Sequence, residues 1–294
     1  MKNNSLENNR SRIALGTSSW IFDGWRGVFY PEKLPRDQQL AYYTSQFNTV
    51  EVNTSFYAIP QPTTLIKWVE TAPPGFTFSL KFPQLISHQK RLVDCQQETL
   101  IFLDVLRSLG TAAGVSFLQL PPDFTRQRDG HTLAAYIDWL AGQNTDLRLA
   151  VEVRSSDLMT PAFARYLAER GIAFVLVDRV HTPDLYETWL ELIQTKVAPD
   201  FCMIRWIGDD KNGPKEDNEL VAPREAQLDL WAQRLAQLHL SQIDIYGFMH
   251  NPYEGHSPAS LRRLQERLAA LIPLPAWRPS VPQAPQEPGQ LTLF

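Results

Sequence analysis

Three acids and three bases in this chain stand where short apolar runs end: Glu51, Glu152 and Asp178 against Lys81, Arg154 and Arg205. Val50-Glu51-Val52-Asn53 alternates apolar and polar residues. Thr77, Ser79 and Lys81 alternate with Phe76, Phe78 and Leu80, and Val151-Glu152-Val153-Arg154 repeats the pattern. A period of two puts the polar residues of each run on one face. Glu51, Glu152 and Asp178 are therefore catalytic candidates, because carboxylates in different surroundings divide into a protonated acid and an ionised base. Lys81, Arg154 and Arg205 suit a phosphate or carboxylate, Arg by bidentate contact. Asn53, Tyr57, His88, Gln119 and Asn251 lie at or just beyond the same run ends and are expected to line the substrate. The same charges could instead pair with one another as a purely structural network.

A metal has weaker support. His88, His181, His250 and His256 all fall in loops after apolar runs, which leaves a divalent ion open. No close ligand spacing such as His-Glu-x-x-His occurs, so no cofactor is expected. Trp20, Phe22, Trp25, Phe29 and Tyr30 crowd one loop. They could stack a base or sugar ring, but a packed loop core is the simpler expectation. Trp68, Trp139, Trp189 and Trp231 fall on helical patterns and are expected to pack.

The elements that must position these residues alternate strand and helix. Strands are expected at Ile13–Thr17, Thr49–Asn53, Phe76–Lys81, Val115–Leu120, Leu147–Arg154, Ile172–Asp178, Phe201–Trp206 and Ile243–Met249. Helices are expected at Pro35–Phe47, Pro62–Thr71, Asp94–Leu109, His131–Gly142, Thr160–Arg170, Leu185–Val197, Pro223–Leu238 and Ser257–Leu271. Proline suits a first helical turn, and Gly110, Gly142 and Gly171 stand where helices should stop. Eight such units over residues 13–271 predict an α/β fold of the (β/α)₈ TIM-barrel class, whose chemistry sits at the C-terminal strand ends. The turn Gly16-Thr17-Ser18-Ser19-Trp20 lacks the glycine spacing of a doubly wound nucleotide-binding sheet. The segment Gly208–Ala222 is either a lid or a solvated excursion.

Of the 294 residues, 44% are apolar, enough for a large single-domain core, and the net charge is −4. That balance argues against strong direct binding of duplex DNA, which draws on a basic face. No apolar run approaches membrane-spanning length, and residues 1–12 are polar and Asn-rich, read as a disordered arm rather than a signal peptide. A cytoplasmic location is expected, with Cys95 and Cys202 reduced.

Gly16-Thr17-Ser18-Ser19-Trp20, Trp25 with Phe29-Tyr30-Pro31, and Val50 to Tyr57 resemble the YecE-like family, domain of unknown function 72. So do Leu80-Lys81-Phe82-Pro83 with His88, Leu118 to Pro122, Val151 to Arg154, Asp178 and Ile204-Arg205. The resemblance implies a (β/α)₈ barrel and no particular reaction. The chain departs from the family pattern at Trp206-Ile207-Gly208, where Ile207 replaces a family histidine, and at His250-Asn251, where the family has Asn-Asn.

Residues 272–289 hold six prolines and read as a linker. It leads to Gln290-Leu291-Thr292-Leu293-Phe294, which resembles the pentapeptide by which bacterial DNA polymerases and repair proteins bind the β sliding clamp. In that resemblance Gln290 fixes register, while Leu291, Leu293 and Phe294 fill an apolar cleft. Tethering would supply local concentration near DNA without a basic surface. The expected function is a hydrolase or lyase on a nucleotide- or DNA-derived anion, recruited to the DNA polymerase III β sliding clamp. A non-catalytic anion-binding module and sugar-phosphate metabolism unrelated to DNA are the alternatives.

Overall fold

The computed structural model describes residues 11–143, 146–277 and 279. The expected arm through residue 10, residues 280–289 of the expected linker and the 290–294 motif lie outside these described residues.

Eight strands alternate with eight helices among the described residues. They are β1 (Ile13–Thr17), α1 (Gln39–Gln46), β2 (Thr49–Val52), α2 (Pro62–Thr71), β3 (Thr77–Leu80) and α3 (Gln96–Ser108). Then come β4 (Ser116–Gln119), α4 (Arg126–Gln143), β5 (Leu149–Glu152), α5 (Pro161–Ala168) and β6 (Ala173–Arg179). The last are α6 (Tyr186–Gln194), β7 (Phe201–Gly208), α7 (Glu225–Leu240), β8 (Asp244–Met249) and α8 (Ser257–Ala269). Prolines open α2 and α5, and the Thr160 hydroxyl accepts from Phe163 N at 3.2 Å to cap α5. The strands are buried almost throughout, as parallel strands covered on both faces must be.

All pairings are parallel, in a curled six-stranded sheet of order β1-β8-β7-β6-β5-β4 and a two-stranded sheet β2-β3. Isolated parallel bridges Phe78–Ala113 and Lys81–Phe117 link β3 to β4. Between β1 and β2 the links run through side chains. Asn48 accepts from Leu15 N at 2.9 Å and donates to Ile13 O at 2.9 Å. The Tyr43 hydroxyl accepts from Thr17 N at 2.8 Å and donates to Thr49 O at 3.1 Å. A Cβ on Gly16 would stand 2.0 Å from Thr49 O, so only glycine permits this approach.

Several boundaries differ from expectation. Helix α4 starts at Arg126 rather than His131 and passes through Gly142, which therefore does not end it. A π-helical turn, Leu85–Gln89, follows β3 where a plain loop was expected. Residues 272–277, expected in the linker, pack instead: Ile272 is buried, and Trp277 Nε1 donates to Thr44 O at 2.8 Å. The aromatic loop is packed core, with Trp25, Phe29 and Tyr30 buried. Cys95 and Cys202 are buried free thiols. No described helix is long and apolar enough to cross a membrane.

Candidate functional site

Strand register brings the charged residues together. Gln119 pairs with Glu152 across β4 and β5, Glu51 with Ser79 across β2 and β3, and Arg205 with Phe248 across β7 and β8. Registered residues on neighbouring strands share a face, so these side chains meet over the same interior.

Buried Arg205 is the hub. Its Nε donates to Glu51 Oε2 at 2.7 Å and its Nη2 to Glu51 Oε1 at 2.9 Å, while Nη1 donates to Glu152 Oε2. The guanidinium carbon lies 4.7 Å from the Phe117 ring centroid. Gln119 Nε2 donates to Glu152 Oε1 at 2.6 Å, and its Oε1 accepts from Lys81 Nζ at 2.7 Å. Lys81 Nζ stands 4.0 Å from the Phe56 ring centroid. Asn53 Nδ2 donates to Glu51 Oε1 at 2.8 Å and to Ser18 O at 2.9 Å. His250 Nε2 lies 3.5 Å from Glu51 Oε1.

Burial alone would raise the Glu51 carboxyl, but the charges of Arg205 and His250 hold it well below the ordinary carboxylate range. Burial would likewise lower Arg205; Glu152 and Glu51 overcome it and raise the guanidinium further. Lys81 is different. Burial, helped by the charge of Arg205, brings its ammonium down to about 8 against the opposing pull of Glu152 and Glu51. Burial and then the charges of Lys81 and Arg154 lower His88, and burial lowers His250 despite Glu51.

A second group borders the first. Asp210, just past β7, accepts from Arg179 Nε and Nη2 at 2.9 and 2.8 Å and lies 3.8 Å from Arg154 Nη2. Half-buried Lys81, His88 and Arg154 and 74%-exposed Tyr57 make the accessible edge of the cluster. His88 sits on the π-helical turn, its ring edge-on to Phe56 at 4.9 Å. A cleft of about 520 Å³ opens elsewhere, beside Arg12, Asn48, Gly75 and Trp277 at the N-terminal strand ends.

The structure thus gathers Glu51, Asn53, Lys81, Gln119, Glu152 and Arg205. It does not gather Asp178 or Asn251. Asp178 is registered with Trp206, one residue out of step with Arg205, and so faces the helices. Its Oδ2 accepts from Trp231 Nε1 and the Tyr253 hydroxyl, both at 2.7 Å. The expectation that Asp178 faces inward with Glu51 and Glu152 is corrected accordingly. Asn251, expected to touch substrate, accepts from Ser257 N at 3.0 Å and from the Ser257 hydroxyl at 2.6 Å, fastening the start of α8.

Sequence reasoning passed over Arg179, Asp210 and the nearness of His250 to Glu51. For His250 the signal was present, since it continues the inward alternation of Tyr246 and Phe248. For Arg179 there was none, because a register shift between Asp178 and Arg179 turns it. The histidines considered for a metal are dispersed, with His256 against Trp25 at 6.2 Å and His250 against Glu51. No group of three His, Cys, Asp or Glu able to hold a metal is found among the described residues.

Fold and cluster together define a parallel α/β protein with a charged site at its C-terminal strand ends. The chain belongs to the family described as "Protein of unknown function DUF72", which matches residues 14–285. It is 30% identical to the UPF0759 protein YecE of Escherichia coli K12 over 289 residues, covering 92% of this chain and 98% of that one. It is 24% identical to the UPF0759 protein YunF of Bacillus subtilis, covering 87% and 94%. Among solved structures, the DUF72 family protein TM1631 of Thermotoga maritima superposes with a TM-score of 0.72 at 24% identity, covering 87% of this chain and 99% of that one. EF0366 of Enterococcus faecalis does so at 0.69 and 19% identity, covering 90% and 99%.

Proposed function

We propose that the eight strands close into one (β/α)₈ barrel whose mouth is the active site of a hydrolase or lyase for a small nucleotide- or DNA-derived anion. Closure is supported by the bridges from β3 to β4 and by Arg205 reaching from β7 to both β2 and β5. The observation that carries the catalytic reading is Lys81. Its half-buried ammonium meets only a neutral amide and an aromatic ring, with no carboxylate at ion-pair distance among the described residues. A buried charge left without a counter-charge is costly unless a ligand supplies one. Arg154 and His88 border it, so the missing charge is an anion's. Glu51 is held ionised and positions Arg205; Glu152, hydrogen-bonded through Gln119 towards Lys81, takes the acid/base role.

Thermal-shift titration with inorganic phosphate, nucleotides and sugar phosphates tests the site. Stabilisation of the wild type that Lys81→Met and Arg154→Met both lose is the expected result. An unshifted wild type across the panel rejects it. The mutual pairing of Arg205 with Glu51 and Glu152 favours one competitor, a non-catalytic anion-binding module, and that predicts stabilisation without turnover.

Recruitment to the β sliding clamp through Gln290, Leu291, Leu293 and Phe294 is proposed on the motif alone, since these residues lie outside those described. Binding to an immobilised clamp, lost in a Leu293→Ala/Phe294→Ala double variant, is the expected outcome; no binding by the intact chain removes the proposal.

A further inference from the structure

Lys81 is placed for more than holding charge. Its Nζ sits at the accessible edge of the cluster, over the Phe56 ring at 4.0 Å, with one side-chain acceptor, Gln119 Oε1, at 2.7 Å. The guanidinium of Arg205 is anchored close by, and Arg154 flanks the mouth. A lysine crowded by an apolar ring and other cations, with no carboxylate at ion-pair distance among the described residues, is the setting in which an amine becomes a nucleophile at neutral pH. Ion-paired surface lysines such as Lys90, bound to Glu98 at 2.5 Å, have the opposite setting. The remaining cations at the edge suit a phosphate carried by the same molecule.

We infer that Lys81 forms an imine with a phosphorylated aldehyde or ketone, Arg154 holding the phosphate. This inference rests on the anion-site reading above and selects its lyase branch. The free amine adds to the carbonyl carbon, giving a carbinolamine. The carbonyl oxygen then leaves as water, carrying both former amine hydrogens, and a carbon–nitrogen double bond remains. No oxidant or reductant is consumed. Protonated, the imine withdraws electrons from the adjacent carbon, which permits loss of a proton or cleavage of a carbon–carbon bond there. The depressed lysine, near 8, keeps a substantial free-amine fraction at physiological pH, and His88, edge-on to the same ring, is a neutral base beside it.

The test is reductive trapping. The full chain is incubated with 2-deoxyribose 5-phosphate or dihydroxyacetone phosphate, cyanoborohydride is added, and adducts are mapped by mass spectrometry. Labelling of Lys81 at least about tenfold above exposed Lys33, Lys67 and Lys196 is expected from its larger free-amine fraction. Lys81→Arg, which keeps the charge but cannot form an imine, retains stabilisation by inorganic phosphate and loses the adduct. Arg154→Met retains a folded chain, by its thermal transition, and loses preferential labelling. If phosphate stabilises the wild type but Lys81 labels no faster than the surface lysines with either probe, the imine inference fails while the anion site stands. If phosphate gives no stabilisation and no preferential adduct forms, both fail.

Discussion

Arg205 and Glu51 are joined by two hydrogen bonds, at 2.7 and 2.9 Å, although their strands belong to separately bonded sheets. Fork-to-carboxylate pairing of this kind is specific in geometry, and buried it is costly to break from one side. Arg205→Met leaves Glu51 and Glu152 buried without their counter-charge. A loss of about 3–5 kcal/mol is expected in chemical denaturation. A loss below 1 kcal/mol would mean that the carboxylates find other partners.

The same pair sets an acid limit. Glu51 titrates below its unfolded value, so its stabilisation is complete above about pH 4.3 and declines as pH falls below that towards its folded value. Thermal transitions recorded from pH 7 to pH 3 should therefore fall more steeply for the wild type than for Glu51→Gln, although the variant starts lower.

Lys81 has the opposite sense. Its folded value, near 8, is below the unfolded one near 10.4, so the unfolded chain binds the extra proton between them and stability rises with pH across that window. Lys81→Met should raise the melting temperature at pH 7, and this advantage should shrink above pH 10. A variant no more stable than the wild type at pH 7 would show that Lys81 carries no burial cost.

Asp178 should prove structural. Asp178→Ala removes the acceptor of Trp231 Nε1 and Tyr253 and is expected to cost roughly 1–3 kcal/mol. Phosphate affinity of the folded variant should match the wild type. A loss of binding with unchanged stability would put Asp178 back in the site.

Asp210 lies against Arg154 and Arg179, so on the proposed anion-site reading it would compete with a bound anion for them. Removing it in Asp210→Ala should tighten phosphate binding by about twofold to fivefold, the range of a partly exposed ion pair, and steepen its salt dependence. Calorimetric titration at two ionic strengths reads both.

Much of this arrangement is legible in the chain. Strand β1 and helix α2 have the bounds that periodicity and proline place on them. Alternation alone sends Glu51, Lys81, Gln119, Glu152 and Arg205 to one face, because each stands in a run with apolar neighbours on either side. It fails at Asp178, where Ala173 to Val177 are all apolar and leave no alternation to read; only the register with β7 shows that Val177, not Asp178, lies beside Arg205. It fails for Asp210 because pairing between a loop and two strand-end arginines has no sequence period. For Asn251 the chain gives no sign that its amide oxygen is taken up by Ser257 N and Oγ at the start of α8.

The link between β1 and β2 has a mechanical consequence. Elsewhere backbone ladders or bridges join neighbouring strands, but here the Asn48 amide and the Tyr43 hydroxyl stand in for them. Side chains rotate where ladders do not, so this is a seam held by buttons rather than stitching. Glu51 rides on β2, at one side of it, and Lys81 follows β3; Glu152 and Arg205 belong to the other sheet. Loosening the seam would free Asn53 from Ser18 O and let Glu51 shift against Arg205. Tyr43, reaching in from α1, and Asn48, just before β2, are therefore the residues that keep Glu51 in register with the rest of the cluster.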